Sequence, residues 1–581
     1  MKDVSYYLEK YHTHALVMIV AIFLSVSIYS AYANSILGDE QAHLNVSYTF
    51  LHTGSMISLA QAPYPLHIIN VIPVVLLDKS GYYPGKEINQ AMEDTQLDLR
   101  TIMFLNRLPS ILLGLVLMYY IYIWSTRLFN RSAAVFACLI FVLDGNLSGH
   151  FHIISVDTTL TTFMFIALYY LWSYLQDWKL KDFIWFNIML ILTIISKISG
   201  LYIIIILIAY TFLILLFKKK IRWFKRPHPK DRPEKNYKNA IRYLYILCIS
   251  FIILFIATFF IYFGFSTMQN MVPKGLEDRA EYKLNVFASS IPLLNKTIIY
   301  AYYNVPLPMP AYIKILAQQA VYSFEDNEIY LKGKYSEEGF KYYYIYSFFF
   351  KMPTLIIFLT VIFFLLFIFK YSRIKKKFDY WFLIIPILII WIINSVNAVQ
   401  LGFKYIFPSL PFLYIIIAST IVLFRGRIFT FLIIFLTIFS ACELSYNFHN
   451  IIAYQNFVSK SHPLSYYVSG DASLDWGQNG YRLIKYIESN PNITPEKVYL
   501  EKNYYLTFQY YNYTYSSKIH QLKDSESIFP SDGQTKYIFI TKYRESCIKT
   551  PKPCFTWLAD ENKAKKIHTI EDSIDVYEYK N

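Results

Sequence analysis

A chain of 581 residues that is 55% hydrophobic, with only 16% charged residues and a formal charge of +15, carries more apolar surface than water-soluble cores can bury. An ordinary soluble enzyme is excluded. The basic excess sits largely in short loops between apolar runs, where membrane topology and anionic headgroups account for it, so no nucleic-acid partner is expected.

Uncharged or nearly uncharged stretches recur at about 15–36, 108–124, 132–149, 158–175, 183–199, 200–217, 243–266, 352–369, 379–396, 406–424 and 428–446. Each suits a hydrocarbon layer of roughly 30 Å, which predicts an α-helical polytopic membrane protein with about eleven transmembrane helices. Ala31-Tyr32-Ala33 looks like a signal-cleavage site, but the apolar run before it is too long and its flank carries acids as well as Lys, so the first span is read as uncleaved.

Loop 218–242 carries about eleven basic residues against two acids, and 370–378, 126–131 and 425–427 repeat the bias. Short basic loops stay inside. Eleven alternating spans then place the N-terminus inside, and loops 37–107 and 267–351 and the region 447–581 outside. The expected division is a transmembrane module over 1–446 and a small external α/β domain over 447–581. Within the latter, 481–490 is helix-like, and 497–505, 536–543 and 573–580 alternate as strands do. Cys138, Cys248 and Cys442 fall in apolar spans as small buried hydrophobes, and Cys547 and Cys554 are left open as a local disulfide.

Several strings carry a family resemblance. GDEQAH (38–43) followed by QAPYPLHIINVIPVVLL (61–77) resembles the first external loop of GT-C glycosyltransferases. NRLPSILLGLVLMYYIY (106–122) and GHFHIISVDTTLTTFMFIALYY (149–170) look like the family's second span and third-to-fourth span junction. PLPMPAYIKIL (306–316) with YLKGKYSEEGFKYYYIYSFFFKMPTLII (330–357) resembles its later external loop, and NAVQLGFKYIFPSLPFLYI (397–415) its Gly-x-Arg-Tyr-x-x-Pro-x-x-Pro region. The most specific string, DASLDWGQNGYRLIKYI (471–487), is similar to one in bacterial relatives of the protein O-mannosyltransferases. The group is the protein O-mannosyltransferase and lipid A aminoarabinose transferase-like superfamily, resembling glycosyltransferase family 39. The resemblance implies an inverting transferase in a bacterial inner (plasma) membrane with its active site extracytoplasmic. Its implied partners are a polyprenyl-phosphate-linked sugar donor, membrane lipids, and a glycan, lipid or protein acceptor in the cell envelope. It departs from the family at Lys404, where Arg is expected, and at Phe403, where His is common.

The chemistry asks for little. A sugar on a polyprenyl phosphate already has a good leaving group, so one base for the acceptor hydroxyl and some cations for the phosphate suffice. Asp39 and Glu40, side by side at the exit of the first span, are the first candidates: Asp39 as base and Glu40 in support, against the reading that they mark a solvated span end. Asp157, an isolated acid beside an apolar run, is the third catalytic candidate, with helix capping the alternative. Arg107, Lys197 and Lys404 are the candidate donor-phosphate ligands, or snorkelling side chains. His67, Asp475, Trp476 and Gln478 are carried as acceptor-binding or structural. A divalent cation on His43, His67, His150 and His152 with Asp157 is an alternative that no recognised ligand spacing supports. Two other classes remain: a transporter or lipid flippase, which predicts internal repeats and midplane charges, and a polytopic anchor for the tail.

Overall fold

The computed structural model of the chain describes residues 4–53, 65–77, 97–216, 237–261, 338–369, 376–397, 399–400, 402–423, 426–461, 475–501, 518–522, 534–541, 563–571 and 573–580, with shorter stretches between 265 and 336, Tyr504 and Leu558. The stretch 61–64, loop 218–236, most of 267–337, residues 471–474 and Cys547 and Cys554 lie outside the described residues.

A helix occupies each of the eleven apolar stretches. They are α1 (His12–Ala33), α4 (Leu99–Leu128), α5 (Arg131–Leu143), α7 (Val156–Asp177), α8 (Leu180–Ser196), α9 (Tyr202–Leu216), α10 (Tyr237–Ile261), α12 (Thr354–Phe369), α13 (Lys377–Val396), α14 (Leu410–Ala418) and α15 (Arg427–Asn447). Between them run α2 (Gly38–Thr53), α3 (Ile68–Val75), α6 (Gly145–His150) and α11 (Tyr343–Lys351). Seven helices among the described residues are long and apolar enough to cross a membrane: His12–Ala33, Leu99–Leu128, Ile198–Leu216, Ile241–Ile261, Lys377–Val396, Phe403–Leu423 and Arg427–Ala453. α5 and α12 are apolar but short. α7 opens on a Thr-rich turn and ends on Gln176 and Asp177, and both it and α8 lie against other helices, so they need less apolar surface than a lipid-facing span.

α14 is apolar all round and every one of its nine residues is buried, as a helix without a polar face must be. It packs against α5 and α13, while α1 and α4 close around α5 and each other and α7 lies against α4 and α8. Several polar side chains inside the spans bond back to the preceding turn, as Thr161 does to Asp157 O (2.6 Å) and Thr162 to Thr158 O (2.9 Å), which pairs their hydroxyl donors within the helix. The turn before Pro109, inside α4, receives a side-chain donor, Asn70 Nδ2 to Asn106 O at 2.9 Å. Cys138 is buried as expected, whereas Cys248 and Cys442 lie on outward faces of their spans.

The helices alternate in direction, so the ends bearing residues 34–40, 97–107, 145–157, 197, 351, 404 and 448–456 fall on one side of the bundle. A small α/β unit stands at that side. Its sheet joins β1 (Val498–Leu500), β2 (His520–Gln521), β3 (Thr535–Thr541), β4 (Ala564–Ile570) and β5 (Ile574–Lys580) in the order β2-β1-β3-β5-β4, with β1 parallel to β2 and β3 and the remaining pairs antiparallel. Helix α16 (Gly480–Glu488) buries Leu483 and Ile487 against Val498, Leu500, Phe539, Ile574 and Val576. The sequence predicts the helix and three of these strands. β4, AKKIHTI, reads as polar because it is an edge strand with its middle exposed.

Candidate active site

The adjacent acids at the exit of α1 part company at once, because successive residues on a helix point about 100° apart. Glu40 turns inward and is 1% exposed; Asp39 turns outward with 47% of its side chain exposed. Glu40 is the third residue of α2 and its Oε2 accepts from the Leu37 backbone N–H at 3.0 Å, the reciprocal half of a capping box. Its Oε1 accepts from Ile154 N at 2.9 Å, tying the turn to the start of α7.

Arg107 completes this knot. Its Nε donates to Glu40 Oε1 at 2.9 Å and Nη2 to Glu40 Oε2 at 2.5 Å, the planar two-point match of guanidinium to carboxylate. The remaining donors go to Ala31 O and Asn34 O (both 2.8 Å) and Ser35 O (2.7 Å), carbonyls at or just past the end of α1 that no intrahelical donor reaches. Every guanidinium N–H is therefore spent within the protein. In this arrangement the five donors of Arg107 all point to protein acceptors, and Glu40 is its buried counter-ion.

The strings around residue 476 dock on the same turn. Ser35 N donates to Gln478 O (3.1 Å), Ser35 Oγ to Gly477 O (2.6 Å) and Gly480 N to Ser35 Oγ (2.9 Å). Gln478, fully buried, accepts from Trp476 N at 2.7 Å and donates to Asn450 Oδ1 at 2.9 Å. Asp475 accepts from Gly477 N (3.0 Å) and from the Tyr504 hydroxyl (2.7 Å), and burial pushes its carboxyl up to about 6 against those bonds. Gln478 thus ties this segment to the end of α1, while Asp475 braces the segment from within. Trp476 does more: its ring lies 3.7 Å under Lys404 Nζ.

Two carboxylate–ammonium pairs meet in front of that segment. Lys404 Nζ is 4.0 Å from Asp39 Oδ2. Lys197 Nζ, in the extended residue that follows α8, donates to Asp157 Oδ1 at 2.7 Å and lies 4.5 Å over the Tyr405 ring. Asp157 is 3% exposed in the first turn of α7, and Ser155, not Asp157, caps that helix by accepting from Asp157 N at 3.2 Å. Lys404 and Tyr405 are chain neighbours in the 3-10 turn Phe403–Ser409, so one short segment faces both pairs. That turn is entered through Gly402 at φ +107°, where a side chain would be strained.

Histidines complete the surroundings. His43, one turn beyond Asp39 on α2, stacks on His67 with ring centroids 4.3 Å apart. Burial first, then Lys404 and Lys197, pushes His43 down to about 4. Burial and His43 hold His67 well below its ordinary value, and its Nδ1 lies 3.5 Å from Asn70 Oδ1. His152 Nε2 accepts from Asn34 Nδ2 at 3.0 Å. Among the described residues no group of three His, Cys, Asp or Glu side chains is arranged to hold a metal ion.

Two residues at this end were not singled out from the sequence. Lys351, 1% exposed, closes α11 inside the apolar run FFFKMP. Glu443, 0% exposed, accepts from Thr354 N (3.0 Å), Thr354 Oγ1 (2.7 Å) and Phe457 N (3.2 Å), placing a carboxylate at the N-terminus of α12. An acid inside an apolar span was the available signal for Glu443.

Residues 102–230 match the family model of dolichyl-phosphate-mannose-protein mannosyltransferases. The match spans Arg107, Asp157 and Lys197, and it meets the GT-C resemblance carried by the sequence strings. Among solved structures, the chain is similar to ArnT from Cupriavidus metallidurans in the apo state (14% identity, 97% of this chain and 98% of that chain, TM-score 0.46) and bound to undecaprenyl phosphate (14%, 97% and 98%, TM-score 0.47). It is also similar to the Archaeoglobus fulgidus oligosaccharyltransferase tethered to an acceptor peptide (11%, 99% and 75%, TM-score 0.48). No curated protein sequence matches the chain.

Proposed function

We propose that the protein is an inverting glycosyltransferase that moves one monosaccharide from a polyprenyl-phosphate carrier to an acceptor hydroxyl on a protein, lipid A or a surface glycan, at the extracytoplasmic face of a bacterial inner membrane. The observation that carries the reading is the half-exposed Asp39 facing Lys404, with the Lys197–Asp157 pair alongside at one end of an apolar bundle. The family match over 102–230 supports the lipid-linked donor.

The roles follow from charge and exposure. Asp39 takes the proton of the acceptor hydroxyl; the freed oxygen attacks the anomeric carbon as the bond from that carbon to the phosphate oxygen breaks, inverting the centre. The sugar is now on the acceptor, the lipid phosphate keeps the bonding electron pair, and the proton passes from Asp39 to solvent or to that phosphate. Lys404 and Lys197 neutralise the charge left on the phosphate. Asp157 orients Lys197, and Trp476 walls the side of Lys404. Lys404 offers a point charge without the two-point geometry of an arginine, so it holds the phosphate by attraction and leaves its orientation to neighbours.

The test is transfer of labelled sugar from polyprenyl-phosphate donors into protein, lipid A and glycan fractions of membranes containing wild type or Asp39→Asn at equal abundance. Loss in the variant supports the assignment; full transfer by Asp39→Asn removes Asp39 as base, and no transfer by wild type from any donor removes the transferase reading.

A further inference from the structure

His150 takes no part in the steps above, yet it sits among the groups that do. It ends α6 and is 4% exposed. Its Nδ1 lies 2.6 Å from the carbonyl of Asn146. A carbonyl can only accept, so Nδ1 carries the ring proton and Nε2 of the neutral ring is a bare acceptor. The ring stands edge-on to Phe407 (centroids 4.7 Å, 80°), and Nε2 has no partner among the described residues.

The ring cannot swing away. Asp144 accepts from Asn146 N (3.0 Å) and Asn146 Nδ2 (3.1 Å), and the same Nδ2 donates to Lys351 O at 2.5 Å. The base of α6 is therefore pinned both to its own cap and to the end of α11. The charged groups facing the imidazole are Lys404, Asp157 and Lys351. Burial and the two lysines outweigh the Asn146 carbonyl and Asp157, so the ring's pKa falls to about 4 and it stays neutral at ordinary pH. A neutral Nε2 lone pair repels a phosphate oxygen and attracts an O–H.

We infer that His150 is a sugar-binding residue, its Nε2 accepting a hydrogen bond from a hydroxyl of the sugar whose phosphate lies at Lys404 and Lys197. The inference rests on the transferase reading and deepens it. Bare lipid phosphate engages the lysines alone, whereas the sugar-bearing donor engages the lysines and His150. A site built to receive a hydroxyl favours a ligand that carries it over one that lacks it.

The experiment is equilibrium binding to the full-length protein in lipid nanodiscs. The probes are undecaprenyl phosphate and undecaprenyl phosphate bearing mannose, galactose, N-acetylglucosamine or 4-amino-4-deoxyarabinose. Wild type, His150→Asn and His150→Gln are compared. Asn keeps a donor for the Asn146 carbonyl but ends short of Nε2; Gln places an amide oxygen near the Nε2 position. The expected result is a wild type that binds one sugar-bearing lipid more tightly than the bare lipid. His150→Asn then binds the bare lipid as wild type does and loses about tenfold on the sugar-bearing one; His150→Gln recovers to within about threefold. Equal weakening of both lipids in His150→Asn assigns His150 to the framework and overturns the inference. So does unchanged sugar binding in that variant, or a wild type that binds bare lipid at least as tightly as every sugar-bearing form. A wild type that binds no lipid at all overturns the transferase reading beneath it.

Discussion

Asp39→Asn and Glu40→Gln are nearly the same chemical change at adjacent positions, and the structure predicts opposite outcomes. Asp39 is about half exposed and 4.0 Å from Lys404, so its ion pair contributes no more than about 1 kcal/mol to stability. Removing a general base lowers turnover about 10²–10⁴-fold, which at roughly 1.4 kcal/mol per decade is about 3–6 kcal/mol of transition-state stabilisation. Glu40 accepts from Leu37 N, Ile154 N and two donors of Arg107 while 1% exposed. Neutralising one partner of such a buried pair costs about 3–5 kcal/mol of folding free energy. Both variants are to be measured by sugar transfer per folded molecule and by thermal unfolding in the same detergent. Asp39→Asn should unfold with wild type and transfer almost nothing; Glu40→Gln should unfold at clearly lower temperature and, when folded and kept cold, retain most of its transfer per molecule. The division of roles is refuted if Asp39→Asn transfers normally, or if Glu40→Gln unfolds with wild type while its transfer collapses.

Lys404→Met should weaken donor binding by about tenfold or more through loss of the charge facing the phosphate, and Lys404→Arg should restore it; titration with undecaprenyl phosphate decides. His43 and His150 have folded pKa values pushed down to about 4 from 6.5, so between those limits the unfolded chain binds more protons. Their contribution to stability is complete above pH 6.5 and is lost as pH falls toward 4, while Asp475, pushed up to about 6, works in the opposite sense. Unfolding midpoints between pH 4 and 7 should show a shallower acid loss in His43→Gln than in wild type. Glu443→Ala strips acceptors from Thr354 N, Thr354 Oγ1 and Phe457 N; leaving these half-buried donors without their carboxylate should cost about 1–3 kcal/mol, read as a lower unfolding temperature.

What the sequence by itself determined is what depends on local pattern. Eleven apolar runs of membrane length became eleven helices because a backbone in hydrocarbon must satisfy its own hydrogen bonds. The amphipathic stretch 481–490 became α16, and alternation at 536–543 and 573–580 became β3 and β5. The sequence also singled out Asp39, Asp157, Lys197 and Lys404, because charges at the ends of apolar runs are conspicuous whatever the fold. Only the tertiary structure decided what each charge faces. Asp39 and Glu40 are indistinguishable in GDEQAH; one helical step of rotation sends one to the site and the other to Arg107. The partners of Arg107, three backbone carbonyls separated from it by some seventy residues, are likewise set by packing. Asn146, at the start of the helix that His150 ends, meets Lys351 across more than two hundred residues of chain, which no local pattern encodes. Pattern fixes which groups must avoid hydrocarbon, and packing fixes which of them meet.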